Sequence, residues 1–376
     1  MTKNQISYEI DKHEHKVYYS KNVENNLVND IQSLHSDRKV LFIYDKNISK
    51  KFILNIKTKL KLTGNLIFFK KVDGQKKNKN LKTLLSLFDE LVKNKFTKNS
   101  VIISCGGGVV GDLSGLLSSL YLRGTIYFHI PSTMTAIVDS CIGGKTGINH
   151  KGIINSFGNY YHPKRVYISQ KIIEELPERE YFSGFAEIIK CGLIGNRNII
   201  RILQKDNFLF KRKKINTISK VILETLKTKI KFFKDDVREQ NQRLILNFGH
   251  TFAHAIEMAT DKHFKNDYLR HGEAVGLGML CEICLSYKDV NLIKNSDLYQ
   301  SVEKLLNKYN LPSKLKIPKK LKKKIHSDIY NFIFLDKKKK GKYPRYIFLK
   351  KSNSPKIDEI KDFGSLNDVI YKIIEN

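Results

Sequence analysis

Between residues 40 and 170, short apolar runs alternate with longer stretches in which apolar positions recur every three or four residues. The runs Val40-Leu41-Phe42-Ile43-Tyr44, Leu66-Ile67-Phe68-Phe69, Val101-Ile102-Ile103-Ser104, Tyr127-Phe128-His129-Ile130 and Val166-Tyr167-Ile168 have strand length and little polar alternation. That is the pattern of strands covered on both faces. Residues 81–92 are amphipathic with a helical period, and 109–121 are long and apolar enough for a buried helix. Such alternation predicts a mostly parallel sheet flanked by helices. After Leu176-Pro177 the strand signals fade, and helical periods dominate at 180–194, 215–234, 247–258, 272–287 and 298–309. We therefore expect an N-terminal α/β domain over residues 1–172 and an all-α domain over 173–376.

One junction in the first domain has a composition foreign to the rest. The chain has 22 Gly, and 11 of them fall between Gly106 and Gly158. The strand ending at Cys105 runs into Gly106-Gly107-Gly108-Val109-Val110-Gly111-Asp112 and then into the apolar helix. Strand, glycine turn and helix together form a phosphate cradle, because the helix N-terminus offers unpaired N–H groups and glycine lets a pyrophosphate approach the backbone. The junction thus reads as a phosphate-binding turn. The literal Gly106-x-Gly108-x-x-Gly111 match lacks the acidic residue expected about 20 positions later, and Asp112 follows at once instead. A tight strand-to-helix turn without a ligand is the alternative.

Composition narrows the partners. A net charge of +31 raises nucleic acid or an anionic membrane as a partner. The excess is mostly Lys scattered along the whole chain, so runs such as Lys211-Arg212-Lys213-Lys214 read as solvated faces and neither partner is expected. No run of 18 apolar residues exists to span a bilayer, and the first residues lack the apolar stretch of a signal peptide. Five Cys without regular spacing fit reduced thiols, and Cys281-x-x-Cys284 reads as core packing. A cytoplasmic location is expected. Where Lys is used so freely, an Arg points to a need for a planar fork; Arg123, Arg179 and Arg243 fall inside the motif regions.

The second domain carries candidate metal ligands. In Asn247-Phe248-Gly249-His250-Thr251-Phe252-Ala253-His254, two His stand four apart on one helix face, and His271-Gly272-Glu273 opens another helix. Thr251 stands where the zincin helix has its Glu, so that motif is excluded. A catalytic divalent metal commonly takes two His and a carboxylate. Glu187, in Ala186-Glu187-Ile188-Ile189-Lys190, is a candidate carboxylate, since charge on an apolar helix is costly unless it ligates or pairs. A buried Glu187–Lys190 ion pair is the alternative, and spacing does not choose between His250 and His254.

Taken in order, these segments resemble the 3-dehydroquinate synthase family of sugar-phosphate cyclases. The resemblance runs from Asp73-Gly74 through GGGVVGDL at 106–113, YLRG at 121–124, PST at 131–133, VDSCIGGKTGINH at 138–150, LPERE at 176–180, GFAEIIKCG at 184–192, RLILNFGHTFAH at 243–254 and HGEAVGLGM at 271–279 to LDKK at 335–338. It implies a dehydroquinate synthase-like fold with a Rossmann-like, dinucleotide-binding N-terminal domain, a homodimer, NAD, and a divalent metal, normally zinc with cobalt as the substitute. The implied reaction is a lyase conversion of 3-deoxy-D-arabino-heptulosonate 7-phosphate to 3-dehydroquinate and phosphate, in the shikimate pathway to aromatic amino acids. A sibling cyclase or a metal-dependent polyol dehydrogenase is the neighbouring reading; Asn247, His254 and Asp336-Lys337-Lys338 favour the dehydroquinate member.

The resemblance also implies roles. Glu187, His250 and His271 would hold the metal. Lys145 and Asn247 would hold the substrate carboxylate; Asn155, Arg243, His254 and Lys337 its phosphate; and Arg123 would reach the phosphate site of a second subunit. Asp139 and Lys229 would contact hydroxyls, with Lys190 close to metal and substrate. Gly107, Gly108, Val109, Val110, Gly111, Asp112, Ser132, Thr133 and Lys145 would line the NAD site, joined by Asp45 and Asp73. Two departures touch that site. Ile154 stands where the family has a lysine before Asn155, and Gln75 where it favours Glu, so weaker NAD binding is expected.

Overall fold

Most of the strand-length apolar runs become strands buried on both faces because alternate residues feed two separate cores, whereas Leu66–Val72, expected to be covered likewise, lies at the sheet edge and is only partly buried. Val40, Phe42, Val101, Ile103, Phe128 and Ile130 pack in one hydrophobic cluster, while Leu41, Ile43, Ile102 and Tyr127 pack in the other. Each such side chain contributes about 1.5–3 kcal/mol on burial. The architecture is taken from a computed structural model that describes residues 5–34, 38–151, 153–205, 215–264, 268–287, 296–335 and 343–375. The chain divides into two compact units. The first is Met1–Pro177 with Phe233–Arg238, and the second is Glu178–Phe232 with Glu239–Asn376. The change of unit thus falls five residues beyond the expected 172, and residues 233–238 return to the first unit.

The first unit opens with β1 (Gln5–Ile10), β2 (His13–Ser20), α1 (Val23–Gln32), β3 (Lys39–Asp45), α2 (Lys50–Lys61), β4 (Leu66–Val72) and α3 (Leu81–Lys93). Then come β5 (Val101–Gly106), α4 (Gly108–Leu120), β6 (Ile126–Pro131), β7 (Lys145–His150), β8 (Ile153–Tyr160), β9 (Arg165–Ser169) and α5 (Gln170–Glu175). Seven strands form one sheet in the order β1-β2-β9-β6-β5-β3-β4. Every pair is parallel except the β1–β2 hairpin. The chain passes from β3 to β4 on one side and then to β5 on the other, so the order reverses at the carboxyl ends of β3 and β5. Open α/β sheets bind ligands at such a switch point.

The glycine-rich stretch divides between two jobs. Gly147 and Gly158 face each other across the antiparallel β7–β8 hairpin. A Cβ there would meet Phe157 O at 2.9 Å or Thr146 O at 2.5 Å. Their small size serves strand pairing, not a ligand, which corrects part of the reading from glycine density.

The second unit contains α6 (Glu178–Ser183), α7 (Phe185–Gly195), α8 (Arg197–Lys205), α9 (Ile215–Phe233, its last residue in the first unit), α10 (His250–His263), α11 (His271–Ser286) and α12 (Asp297–Lys308). It closes with β10 (Leu315–Lys316), α13 (Lys322–Phe334), β11 (Arg345–Phe348), β12 (Lys356–Glu359), α14 (Phe363–Ile373) and β13 (Ile374–Glu375). It is helical but not all-α, since β10 pairs with β13 and β11 with β12. The single helix expected at 180–194 is broken at Gly184 into α6 and α7. No helix among the described residues is long and apolar enough to cross a membrane. All five cysteines are free and buried, and burial pushes the Cys284 thiol up to about 12.

Candidate metal centre and cofactor loop

Three helices of the second unit converge on one carboxylate. Glu187, in the first turn of α7, is fully buried. His250 opens α10 and His271 opens α11. One ligand atom from each of these three residues lies within 4.8 Å of the others. Glu187 Oε1 stands 3.5 Å from His250 Nε2 and 3.6 Å from His271 Nε2, yet accepts no hydrogen bond. A buried carboxylate oxygen left so costs about 1–3 kcal/mol or more, a cost that a cation removes. Lys190 pairs with Glu187 one turn along, so the alternative ion pair exists alongside the cluster.

Distance separates the two histidines of α10. His250 Nδ1 lies 3.2 Å from Phe248 O, and His271 Nδ1 lies 3.2 Å from Glu257 Oε2. Occupied Nδ1 atoms leave Nε2 as the ligand atom, the usual arrangement of metal-bound imidazoles. His254 is not in the cluster; its ring centroid is 5.5 Å from that of His250 and 6.3 Å from that of His271. Glu257, two turns beyond His250 on the same helix face, had no role assigned from sequence, although its i+7 spacing was a visible signal. Burial lowers the His271 pKa, but Glu257 and Glu187 overcome it and raise it to about 10, so a metal must displace a proton there.

Close packing fixes the start of both ligand helices. Gly249 precedes α10 at φ 82°, in the left-handed region that favours glycine. A Cβ on Gly272 would stand 1.7 Å from Ser183 O, which seats the first turn of α11 on the end of α6. Glu273 accepts from Arg270 N at 2.8 Å as a capping residue. Arg179 donates to both Glu273 oxygens, each at 2.7 Å, and to Tyr268 O at 2.7 Å. This fork holds the turn that carries His271. Arg179→Met is expected to lower zinc affinity about tenfold, as loss of an outer partner does. Competition with a chromophoric chelator reads the change, with the helical circular dichroism unaltered.

The same unit holds further expected residues. Lys229 on α9 and Arg243 in a 3₁₀ turn are buried. Asn247 Nδ2 donates to Glu239 Oε1 at 2.6 Å and to Leu244 O at 3.1 Å. Lys337 lies outside the described residues. Arg345, which sequence reasoning missed, lines a small cavity with Asn247 and Thr251.

In the first unit, the expected cofactor residues follow the carboxyl ends of four adjacent strands: Asp45 at β3, Asp73 after β4, Gly107 to Asp112 after β5, and Ser132 and Thr133 after β6. A Cβ on Gly74 would stand 1.9 Å from Asp45 Oδ2, so the loop after β4 folds over the end of β3. Lys46 donates to Asp73 at 2.9 Å and holds its carboxyl below the usual range. Gly107 caps α4, and Gly108, Val109 and Val110 form its first turn. The Val110 side chain is wholly in the core, which leaves only its backbone to face a ligand. Lys79 joins Asp112 to Asn155, and Asn155 sits at φ 50°. Lys145 is exposed on β7, Asp139 lies in a turn of π-helix, and Arg123 is exposed at φ 62°.

Residues 70–183 match the family profile described as 3-dehydroquinate synthase N-terminal, and residues 184–339 match 3-dehydroquinate synthase C-terminal. The chain belongs to the 3-dehydroquinate synthase family. A 3-dehydroquinate synthase of Clostridium tetani is 38% identical over 86% of this chain and 80% of its own. That of Dictyoglomus thermophilum is 41% identical over 67% and 71%. The fold is shared with a 2-deoxy-scyllo-inosose synthase solved with carbaglucose-6-phosphate, NAD+ and Co2+, at a TM-score of 0.83 and 20% identity, covering 98% of this chain and 99% of that one. A 2-epi-5-epi-valiolone synthase from Streptomyces hygroscopicus, solved with NAD+ and Zn2+, gives 0.82 at 19%, covering 97% and 98%. Membership of the family brings its reaction, conversion of 3-deoxy-D-arabino-heptulosonate 7-phosphate to 3-dehydroquinate with release of phosphate in aromatic amino acid biosynthesis.

Proposed function

We propose that the chain carries out this reaction as an NAD- and metal-dependent lyase, with Glu187, His250 and His271 as the metal ligands. The observation that carries the proposal is the buried Glu187 oxygen facing two imidazoles whose other nitrogens are already engaged. When bound, NAD would supply a hydride acceptor that is restored each cycle, and the metal a Lewis acid for the hydroxyl being oxidised. Zinc is the proposed metal and cobalt the substitute, since two imidazoles and a carboxylate suit both.

The remaining work falls to the chain's own side chains. Lys145 and Asn247 would orient the substrate carboxylate, while Arg243, Asn155, His254 and Lys337 would hold its phosphate by charge-assisted hydrogen bonds. Asp139 and Lys229 would fix the hydroxyls. Lys190 would lie close to metal and substrate, and its pairing with Glu187 offsets the burial of that carboxylate. NAD would lie on the first turn of α4 between Gly107, Gly108, Val109, Val110, Gly111 and Asp112, with Asp45, Asp73, Ser132, Thr133 and Lys145 around it. A homodimer, with Arg123 reaching the second copy, and a cytoplasmic location complete the proposal; five buried free thiols support the latter.

Incubation with the heptulosonate phosphate, NAD and zinc, following phosphate release and the carbocyclic product, tests this reading. Folded, metal-loaded protein that makes no product would overturn it. The departure at position 154 gives a second measurement. Ile154 is 43% exposed on β8, next to the Asn155 that Lys79 holds. Ile154→Lys is expected to tighten NAD binding about three- to tenfold, the effect of one exposed hydrogen bond. An unchanged dissociation constant would count against weakened NAD binding at this position.

A further inference from the structure

Beneath the candidate cofactor loop lies a buried polar chain that the reaction does not use. Ser104 Oγ is 2.6 Å from His129 Nδ1 and 2.8 Å from Tyr127 Oη, and Tyr127 donates to Gly111 O at 3.0 Å. Ser104 lies on β5, Tyr127 and His129 on β6, and Gly111 in the opening of α4. The strands β5 and β6 lead directly into Gly107 and into Ser132 and Thr133, and α4 opens with Gly108 to Asp112. Gly111 also rests on the imidazole, where a Cβ would meet His129 Cε1 at 3.1 Å.

Counting protons orders the chain. Tyr127 has one hydroxyl proton and gives it to Gly111 O. The bond between Ser104 and Tyr127 must then use the serine proton. Ser104 has none left, so His129 must carry its proton on Nδ1 and donate it to Ser104. All three bonds point the same way, from His129 through Ser104 and Tyr127 to Gly111, an arrangement in which each bond polarises the next. Burial favours the neutral imidazole, whose one ring proton this order places on Nδ1.

We propose that His129, Ser104 and Tyr127 are positioning residues for NAD: their one-way hydrogen-bond chain pins the Gly111 carbonyl, and with it the first turn of α4, at the distance from the β5 and β6 ends that a pyrophosphate needs. The proposal rests on the cofactor reading above. A loop held at one end only by glycines has many conformations to lose on binding, and a tether removes that cost in advance.

NADH fluorescence on binding is a clean readout, because the chain has no Trp. Tyr127→Phe keeps the ring and removes the last donor, and Ser104→Ala removes the middle link. Each is expected to weaken NADH about three- to tenfold, the effect of one or two lost hydrogen bonds. The double variant is expected to be no weaker than the worse single one, since either break interrupts the same chain. KM for NAD should rise with kcat at saturating NAD and bound zinc unchanged. His129→Asn, which places an N–H donor where Nδ1 stood, should bind within about twofold of wild type, and His129→Leu should not. Leu117→Ala, farther along α4 in the core, controls for general destabilisation. NADH affinity unchanged in folded Tyr127→Phe and Ser104→Ala, or weakened equally by Leu117→Ala, would overturn the proposal. A wild-type protein that binds no NADH would overturn the cofactor reading itself.

Discussion

Glu187→Gln is expected to lose its divalent metal and, with it, nearly all turnover. Loss of a partner outside the coordination set already costs about 10–100-fold in affinity, so loss of the ligand itself should exceed about 10³-fold. The substitution has a second effect. Lys190 is 1% exposed and pairs with Glu187, and breaking a buried pair from one side costs about 3–5 kcal/mol. Glu187→Gln should therefore lower the unfolding midpoint as well as the zinc content measured by atomic emission. Adding Lys190→Met should restore much of the stability and none of the metal. If Glu187→Gln kept full zinc, or the double variant regained it, the carboxylate would be a structural ion-pair partner and not a ligand.

Acid should destabilise the first unit through His129. Burial lowers its pKa from near 6.5 to about 4, against the opposing effect of the hydrogen bond it donates to Ser104. The unfolded chain thus takes up a proton below about pH 6.5 that the folded chain refuses until about pH 4. Stability from this group is fully present above pH 6.5 and is lost as pH falls through that window. The span corresponds to about 3 kcal/mol at about 1.4 kcal/mol per pH unit. Urea midpoints for wild type and His129→Asn, compared at pH 7 and pH 4.5, isolate the term from the other acid-sensitive groups. The wild type should lose more stability than the variant. Parallel losses would show that His129 titrates near its ordinary value.

Both predictions depend on residues whose type was legible in the sequence and whose partners were not. Glu187 stood out because a charge on an apolar helix needs a reason, and His129 was read only as one polar position in a strand run. Their opposite numbers are remote in the chain: Glu187 meets His250 and His271, and His129 meets Ser104. Periodicity reports which face a residue occupies, not what lies across from it. Helix boundaries followed the same logic. The break between α6 and α7 at Gly184 was missed because an apolar period continues through it. The small strand pairs of the second unit escaped because two to four residues are too few to show alternation.

What the sequence determined by itself was the class of each segment and its family. Continuous apolar runs required a sheet covered on both faces, glycine at the end of β5 required a close turn into α4, and ten motif segments in order left one family. What only the tertiary structure decided was selection among equals. His250 and His254 lie one turn apart on one helix, and only His250 comes within 4.8 Å of both Glu187 and His271, which is what supports proposing it over His254. Likewise, Gly111 and Gly147 look alike in sequence, but one packs beneath a histidine at the cofactor loop and the other against a facing strand. Local pattern fixes which groups can do chemistry, and long-range packing fixes which of them meet, because a ligand set is defined by distances that no local spacing encodes.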